Sequence, residues 1–271
     1  MTGARAVVCL PALDLRPRPD HRAELGSQLL MGEVVEPGRR PAGWRHVTNL
    51  ADGYSGWVRE WGLVEGTARR VAGWSRAATA RITAPLARVL ARPGGEVAVG
   101  PAFLGARVIP GRTRGGWLAV ELPDARRGWV ERAAVALPGD PPPTLEQRIL
   151  GLLGVPYLWG GRTPAGYDCS AFVQQLLLEQ GVALPRDAAD QHRAARPLRA
   201  GMQPMPGDLA FFAVAGGRVA HVGVHLAGAL FAHARGRVSL ASLDPSNPLC
   251  DKDLIPQFVG WRRPRRPARG R

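Results

Sequence analysis

The chain has 271 residues, 45% hydrophobic and 21% charged, which excludes wholesale disorder and leaves room for about two domains of ordinary size. Its 34 glycines and 25 prolines are too many for a helical bundle and suit short strands joined by tight turns. The formal charge of +14 is almost wholly arginine, Lys252 being the sole lysine, and six arginines fall between Arg262 and Arg271. No motif of a nucleic-acid reader accompanies that charge, so no nucleic-acid partner is expected; steering of an anionic small substrate fits better.

The three cysteines, Cys9, Cys169 and Cys250, cannot all pair and show no metal-ligand spacing. No apolar run reaches the ~18 residues of a membrane span. The opening stretch is broken by Pro11 and Asp14 and carries no signal-peptide pattern. No membrane partner is expected, and the expected location is the cytoplasm.

In chain order, the first half repeats itself. Gly43-Trp44 and Gly56-Trp57-Val58 recur as Gly116-Trp117 and Gly128-Trp129-Val130, 73 and 72 residues later. Each copy holds short β-rich runs cut by Gly, Pro and Asp, the pattern of a small barrel of five or six strands. The paired motif resembles bacterial Src-homology-3-like domains. Two all-β barrels are expected, at 1–66 and 77–137, with Trp57 and Trp129 filling their cores or, if exposed, lining a ligand groove.

Pro-Gly-Asp-Pro-Pro-Pro at 138–143 is a stiff linker. Thr144-Leu-Glu-Gln147 reads as a capping box that opens a helix through about Leu153. A second helix runs from Cys169 to Gln180, with Phe172, Val173, Leu176 and Leu177 on neighbouring faces and Gly181 as its stop. A short third helix covers Arg186 to Arg193. Period-two runs follow at Asp208–Val214, Val219–Leu226, Leu230–Ala234 and Val238–Leu243. Helices followed by an antiparallel sheet predict an α+β domain over 144–263, with an Arg-rich tail at 264–271.

A cysteine in the first turn of a helix faces free N–H groups and the positive end of the dipole, which favour thiolate. Alternation along Val219–Leu226 puts His221, Gly223 and His225 on one face. His233 follows on the next strand, within reach of an imidazole–imidazole hydrogen bond to His221. A thiol, a base and a group that orients the base form the layout of an activated cysteine nucleophile. His225 lies about 13 Å from His221 along the strand, too far to share one ion, and is expected to have a surface or packing role. No metal or cofactor is implied.

The stretches GVPYLWGGRTPAGYDCSAFVQ, LPRDAADQ, MPGDLAFF, AHVGVHL and FAHARG resemble, in order, the NlpC-type papain-like cysteine peptidases that cut cell-wall peptides. The resemblance implies Cys169 as nucleophile, His221 as general base, His233 as the third polar residue and Tyr157 as a hydroxyl near the oxyanion. It implies that Asp168, Ser170 and Asp187 bind substrate. Ala188-Ala189 stands where small hydroxyl residues often follow, which removes one substrate hydrogen bond.

DLRPRPDHRAELGSQLLMGEVV followed by DGYSGWV is similar to the first barrel of γ-D-glutamyl-L-diamino-acid endopeptidases. That likeness implies hydrolysis of the γ-D-Glu to diamino-acid bond in murein peptides with a free N-terminal L-Ala. Glu24, or Glu33 in another register, and Tyr54 would meet the ammonium, with Asp168 and Ser170 as further acceptors. The partner expected is a murein tripeptide or related muropeptide. Two alternatives stand beside this: a secreted peptidoglycan DL-endopeptidase with wall-binding barrels, and a non-catalytic peptidoglycan-binding module.

Overall fold

The computed structural model describes residues 3–199 and 201–265, so most of the Arg-rich tail lies outside the described residues. The chain divides into two compact units, Met1–Pro141 with Arg162–Pro164, and Pro142–Gly161 with Ala165–Arg271. Among the described residues no helix is long and apolar enough to cross a membrane.

The first unit begins with a five-stranded sheet ordered Ser55–Arg59, Trp44–Asn49, Val34–Pro37, Ala4–Val8 and Leu63–Thr67, with a hairpin of Ala12–Leu15 and Ser27–Leu30. Its core is aliphatic: Ala6, Val8, Leu13, Leu15, Leu29, Val35, Val47 and Val58. A seven-stranded sheet spanning Ala80 to Ala136 follows, with its own core around Ile82, Val89, Val108, Leu118, Val120 and Val130.

The Gly-Trp-Val repeat acquires a physical meaning in these sheets. Side chains alternate along a strand. Val58 and Val130 therefore enter the two cores, and Gly56 and Gly128 point the same way. A Cβ on Gly56 would collide with Leu15, and one on Gly128 with Val89. The tryptophans between them face out. This corrects the expectation of core filling: Trp57 and Trp129 are half-buried, with Arg39 and Arg112 guanidinium carbons 5.6 and 5.7 Å from their rings.

The helix Ala68–Ala77, absent from the sequence reading, links the two sheets, and the Thr67 side chain accepts from Arg70 N at its start.

The second unit sets three helices, Leu145–Leu150, Cys169–Glu179 and Ala188–Ala194, with a six-stranded antiparallel sheet. Its order is Arg196–Pro197, Phe258–Arg263, Leu209–Ala213, Val219–Ala227, Leu230–Arg235 and Arg237–Ser242. The capping box of Thr144 and Gln147 is present, but that helix ends at Leu150 rather than Leu153. The strand Phe258–Arg263 was not foreseen and lies inside the sheet, where Arg263 binds Asp208 through Nε at 2.9 Å and Nη2 at 2.8 Å. Across the described residues strand outweighs helix.

Candidate active site

Helix Cys169–Glu179 is buried on every side from Cys169 through Leu177, which a sequence as apolar as CSAFVQQLL permits. Asp168 is its N-cap and accepts from Ala171 N at 2.8 Å. Cys169, the first helical residue, directs its sulfur to the Ala220 carbonyl at 3.9 Å, next in the chain to His221. The strands Val219–Ala227 and Leu230–Arg235 pair with Gly223 opposite His233. This register brings His221 Nε2 within 2.9 Å of His233 Nδ1, the imidazole pair expected from alternation. Gly223 is needed there because a Cβ would strike Phe231, whose ring packs 5.1 Å from His233.

Nδ1 of His221 is then the nitrogen left for a thiol proton. If Nδ1 accepts, Nε2 carries hydrogen and donates to His233 Nδ1, which fixes both tautomers.

Burial decides the resting charges. The Cys169 thiol is pushed up to about 12 by desolvation and then by the Asp168 carboxylate. His221 is lowered to about 3 by desolvation and by His233, with Arg235 lowering and Asp251 raising it further out. His233 is lowered to about 4, again mainly by desolvation. Burial thus opposes the thiolate that the helix start favours, and it opposes the imidazolium in the same way.

Tyr157 is half-buried, with N–H bonded to the Gly236 carbonyl at 2.8 Å. Burial, then the nearby Cys169 and Asp168, push its hydroxyl up to about 12, so it remains an O–H donor through the physiological range.

Asp168 and Ser170, expected as acceptors for the substrate ammonium, are also joined to Arg186. Asp168 is buried and receives Arg186 on both oxygens, at 2.5 and 3.1 Å, together with Gly160 N, Ala171 N and the Ser170 hydroxyl. Ser170 in turn accepts from Arg186 Nη1 at 3.0 Å. These bonds hold the helix start to the loop after Tyr157. Arg186 is the residue that sequence reasoning passed over; its place in LPRDAADQ was the available signal. Asp187, by contrast, is exposed at the N-cap of Ala188–Ala194.

Glu24 and Tyr54 belong to the first unit. Glu24 is exposed on the loop between Leu15 and Ser27, a loop held by Arg16 on the Ala23 carbonyl. Tyr54 packs on the aliphatic core and its hydroxyl lies over Gly26 in that loop. Glu33, the alternative to Glu24, is paired within the protein. Its carboxylate accepts from Leu30 N at 2.9 Å and from both terminal nitrogens of Arg162, which falls in the same unit.

His225 packs rather than sitting at the surface. It is buried, donates from Nε2 to the Gly228 carbonyl at 2.9 Å and meets Trp261 edge-on. Cys9, Cys169 and Cys250 are free thiols.

The depressed histidines make folding sensitive to acid. An unfolded chain binds protons on both near the ordinary 6.5, whereas the folded chain resists until about 3 to 4. Stability from this pair is complete above 6.5 and is lost as pH falls toward those values. Urea midpoints between pH 7 and 4.5 are expected to fall with pH, and less steeply in His233→Gln. An unchanged slope in that variant would show that the pair does not control the acid limb.

Residues 154–254 match the NlpC/P60 family, and residues 15–63 match the bacterial dipeptidyl-peptidase Sh3 domain. Over 86 residues the chain is 42% identical to a gamma-D-glutamyl-L-lysine dipeptidyl-peptidase of Bacillus subtilis (strain 168), covering 30% of this chain and 28% of that protein. It is 37% identical over 86 residues to the bifunctional muramidase/DL-endopeptidase CwlT of the same organism, covering 31% and 26%. The matched stretches thus span under a third of these curated relatives. In fold, the chain is similar to an NlpC/P60 family protein from Bacillus cereus ATCC 10987, with TM-score 0.81 over 96% of this chain and 99% of that one at 21% identity. With a cysteine at a helix start and a histidine pair on the adjoining strands, the chain carries a cysteine-peptidase domain of the NlpC/P60 family, together with an N-terminal domain of the bacterial dipeptidyl-peptidase Sh3 type.

Proposed function

We propose that the protein is a cysteine peptidase that hydrolyses the γ-D-Glu to diamino-acid bond of murein peptides whose L-Ala amine is free. The observation that carries this reading is the 2.9 Å contact between His221 and His233, beside a thiol at the start of the buried helix. His221 Nδ1 takes the Cys169 proton as sulfur attacks the γ-carbonyl carbon. The C–N bond breaks, and the leaving amine takes that proton from His221. Water then attacks the thioester with His221 as base, releasing the dipeptide acid and the free thiol. The Cys169 N–H and the Tyr157 hydroxyl serve the oxyanion in both steps.

Substrate choice is assigned to the first barrel. Glu24 and Tyr54 meet the L-Ala ammonium, a group that needs acceptors once it is desolvated, with Asp168 and Ser170 as further acceptors, and Asp187 binds substrate. The exposure of Glu24, the Tyr54 hydroxyl over the same loop and the named activity of a 42% identical relative support this. The second sheet is a second Src-homology-3-like barrel in this reading, and free peptides place the enzyme in recycling within the cytoplasm.

The test is incubation with L-Ala-γ-D-Glu-diaminopimelate and with its N-acetyl form, products being identified by mass. The dipeptide L-Ala-γ-D-Glu and free diaminopimelate are expected from the first. Acetylation is expected to cost about 3 kcal/mol in kcat/KM, the order for losing one partner of a buried charge pair. Glu24→Gln and Tyr54→Phe are expected to narrow that gap. Equal cleavage of blocked peptides or of cross-linked wall would favour the DL-endopeptidase alternative.

A further inference from the structure

The sheet of the second unit ends on the short edge strand Arg196–Pro197, and that edge lines an open cavity of about 430 Å³. Four arginines line it, Arg196, Arg199, Arg263 and Arg265, with Leu198 and Met202 among its apolar walls. No carboxylate is among the described residues that line it. Arg263 has an acid partner, giving Nε and Nη2 to Asp208 at 2.9 and 2.8 Å. Arg196, Arg199 and Arg265 are exposed and make no ion pair among the described residues. Arg196 stands directly across the strand pair from Arg263. Arg262, opposite Pro197, turns its guanidinium to the His192 and Ala195 carbonyls, which balance none of its charge.

Like charges directly opposite one another cost a sheet stability. A hollow lined by one sign of charge with apolar walls also concentrates the field of those charges. Guarding an edge strand against pairing with another chain needs only a charge or two. Here four arginines meet in one concavity, and the sequence adds Arg266, Arg269 and Arg271 just beyond. We propose that this cavity binds a compact anion built of two or more linked phosphates. A guanidinium presents paired N–H donors that take phosphate oxygens two at a time, whereas an ammonium is a point charge. Three such groups without an acid partner carry more charge than one carboxylate or one phosphate can balance. Nη1 of Arg263 stands outside its fork to Asp208 and adds a further donor. A concave site favours a compact ligand over a flat membrane face or a long strand. The proposal goes beyond the peptidase reading, which uses none of these residues.

The native full-length protein can be titrated calorimetrically with tripolyphosphate, orthophosphate, phosphatidylglycerol vesicles and a single-stranded oligonucleotide. Saturable one-site binding of tripolyphosphate is expected, with orthophosphate at least about tenfold weaker. Arg196→Gln and Arg199→Gln are each expected to weaken tripolyphosphate by about tenfold. Both side chains are exposed, so the thermal midpoint should stay near native and a loss of binding reports on the site. Arg199→Lys keeps the charge but loses the fork, and is expected to recover only part of that loss. The triple variant Arg266→Gln/Arg269→Gln/Arg271→Gln should stay within about threefold of native, since its residual effect is long-range and screened. Absence of saturable binding overturns the proposal and leaves the arginines as guards of the edge strand. So does orthophosphate binding as tightly as tripolyphosphate, or an affinity lost in the triple variant but untouched by Arg196→Gln and Arg199→Gln. Tighter binding of the vesicles or of the oligonucleotide than of tripolyphosphate also overturns it, in favour of a membrane or nucleic-acid face.

Discussion

Cys169→Ala is expected to lower kcat/KM for the tripeptide by at least about 10³-fold, the usual consequence of deleting a covalent nucleophile. Its thermal midpoint should barely move, because the change removes one sulfur whose contact to the Ala220 carbonyl is long. His221→Ala should match it in activity, since the imidazole that takes the thiol proton is then gone. His233→Gln should be milder. A glutamine amide oxygen can accept from His221 Nε2 and preserve the tautomer, so the loss is one of orientation rather than of the proton acceptor. Burial of the thiol has a kinetic signature: alkylation of the native enzyme should rise toward high pH, as expected for a thiol pushed up by desolvation. Activity within tenfold of native in Cys169→Ala would remove the assignment, whatever the histidines do.

The second large effect concerns stability. Arg186→Met is expected to cost about 3–5 kcal/mol, the range for stripping one partner from a buried ion pair. The Arg186 and Asp168 side chains are 1% and 10% exposed, so water cannot replace the lost guanidinium. The carboxylate left behind would still be asked to cap the Cys169 helix and to hold Gly160 N. Arg186→Lys should recover only part, because an ammonium cannot span both oxygens and the Ser170 hydroxyl together. The paired variant Asp168→Asn/Arg186→Met should lose less than the two single losses combined, since it leaves no unpaired charge. Chemical denaturation of the four chains measures this directly. A cost below about 1 kcal/mol for Arg186→Met would mean that the pair is not a structural clamp.

The Asp168 network also shows what reading along the chain leaves out. A carboxylate before a nucleophile reads as a group that could greet an ammonium. Its actual partner lies eighteen residues on, beyond the helix and its following turn, at a distance that no local pattern encodes. Glu33 likewise has its bidentate partner, Arg162, 129 residues away. The tryptophan error was different. Alternation says that Gly56 and Val58 share a face and that Trp57 takes the other. Hydrophobicity alone assigns the large ring to the core, whereas Leu15 already fills the space beside Gly56. The strand Phe258–Arg263 escaped because Gly260 and two arginines weaken its apolar alternation, and its pairing with Leu209–Ala213 closes a span of about fifty residues.

What the chain states locally was decisive for the chemistry. The cap at Asp168 and the apolar run behind it place Cys169 at a helix start. Two-residue alternation and a tight turn bring His221 to His233, because neighbouring strands joined by a short turn have little freedom of register. Thr144 and Gln147 announce their capping box within four residues. The tertiary structure decided what depends on depth and on distant partners: that burial opposes the charged forms of the thiol and both imidazoles, and that Asp168 and Ser170 meet Arg186. Desolvation energy follows from how many atoms surround a group, and most of those atoms come from segments far away in the chain.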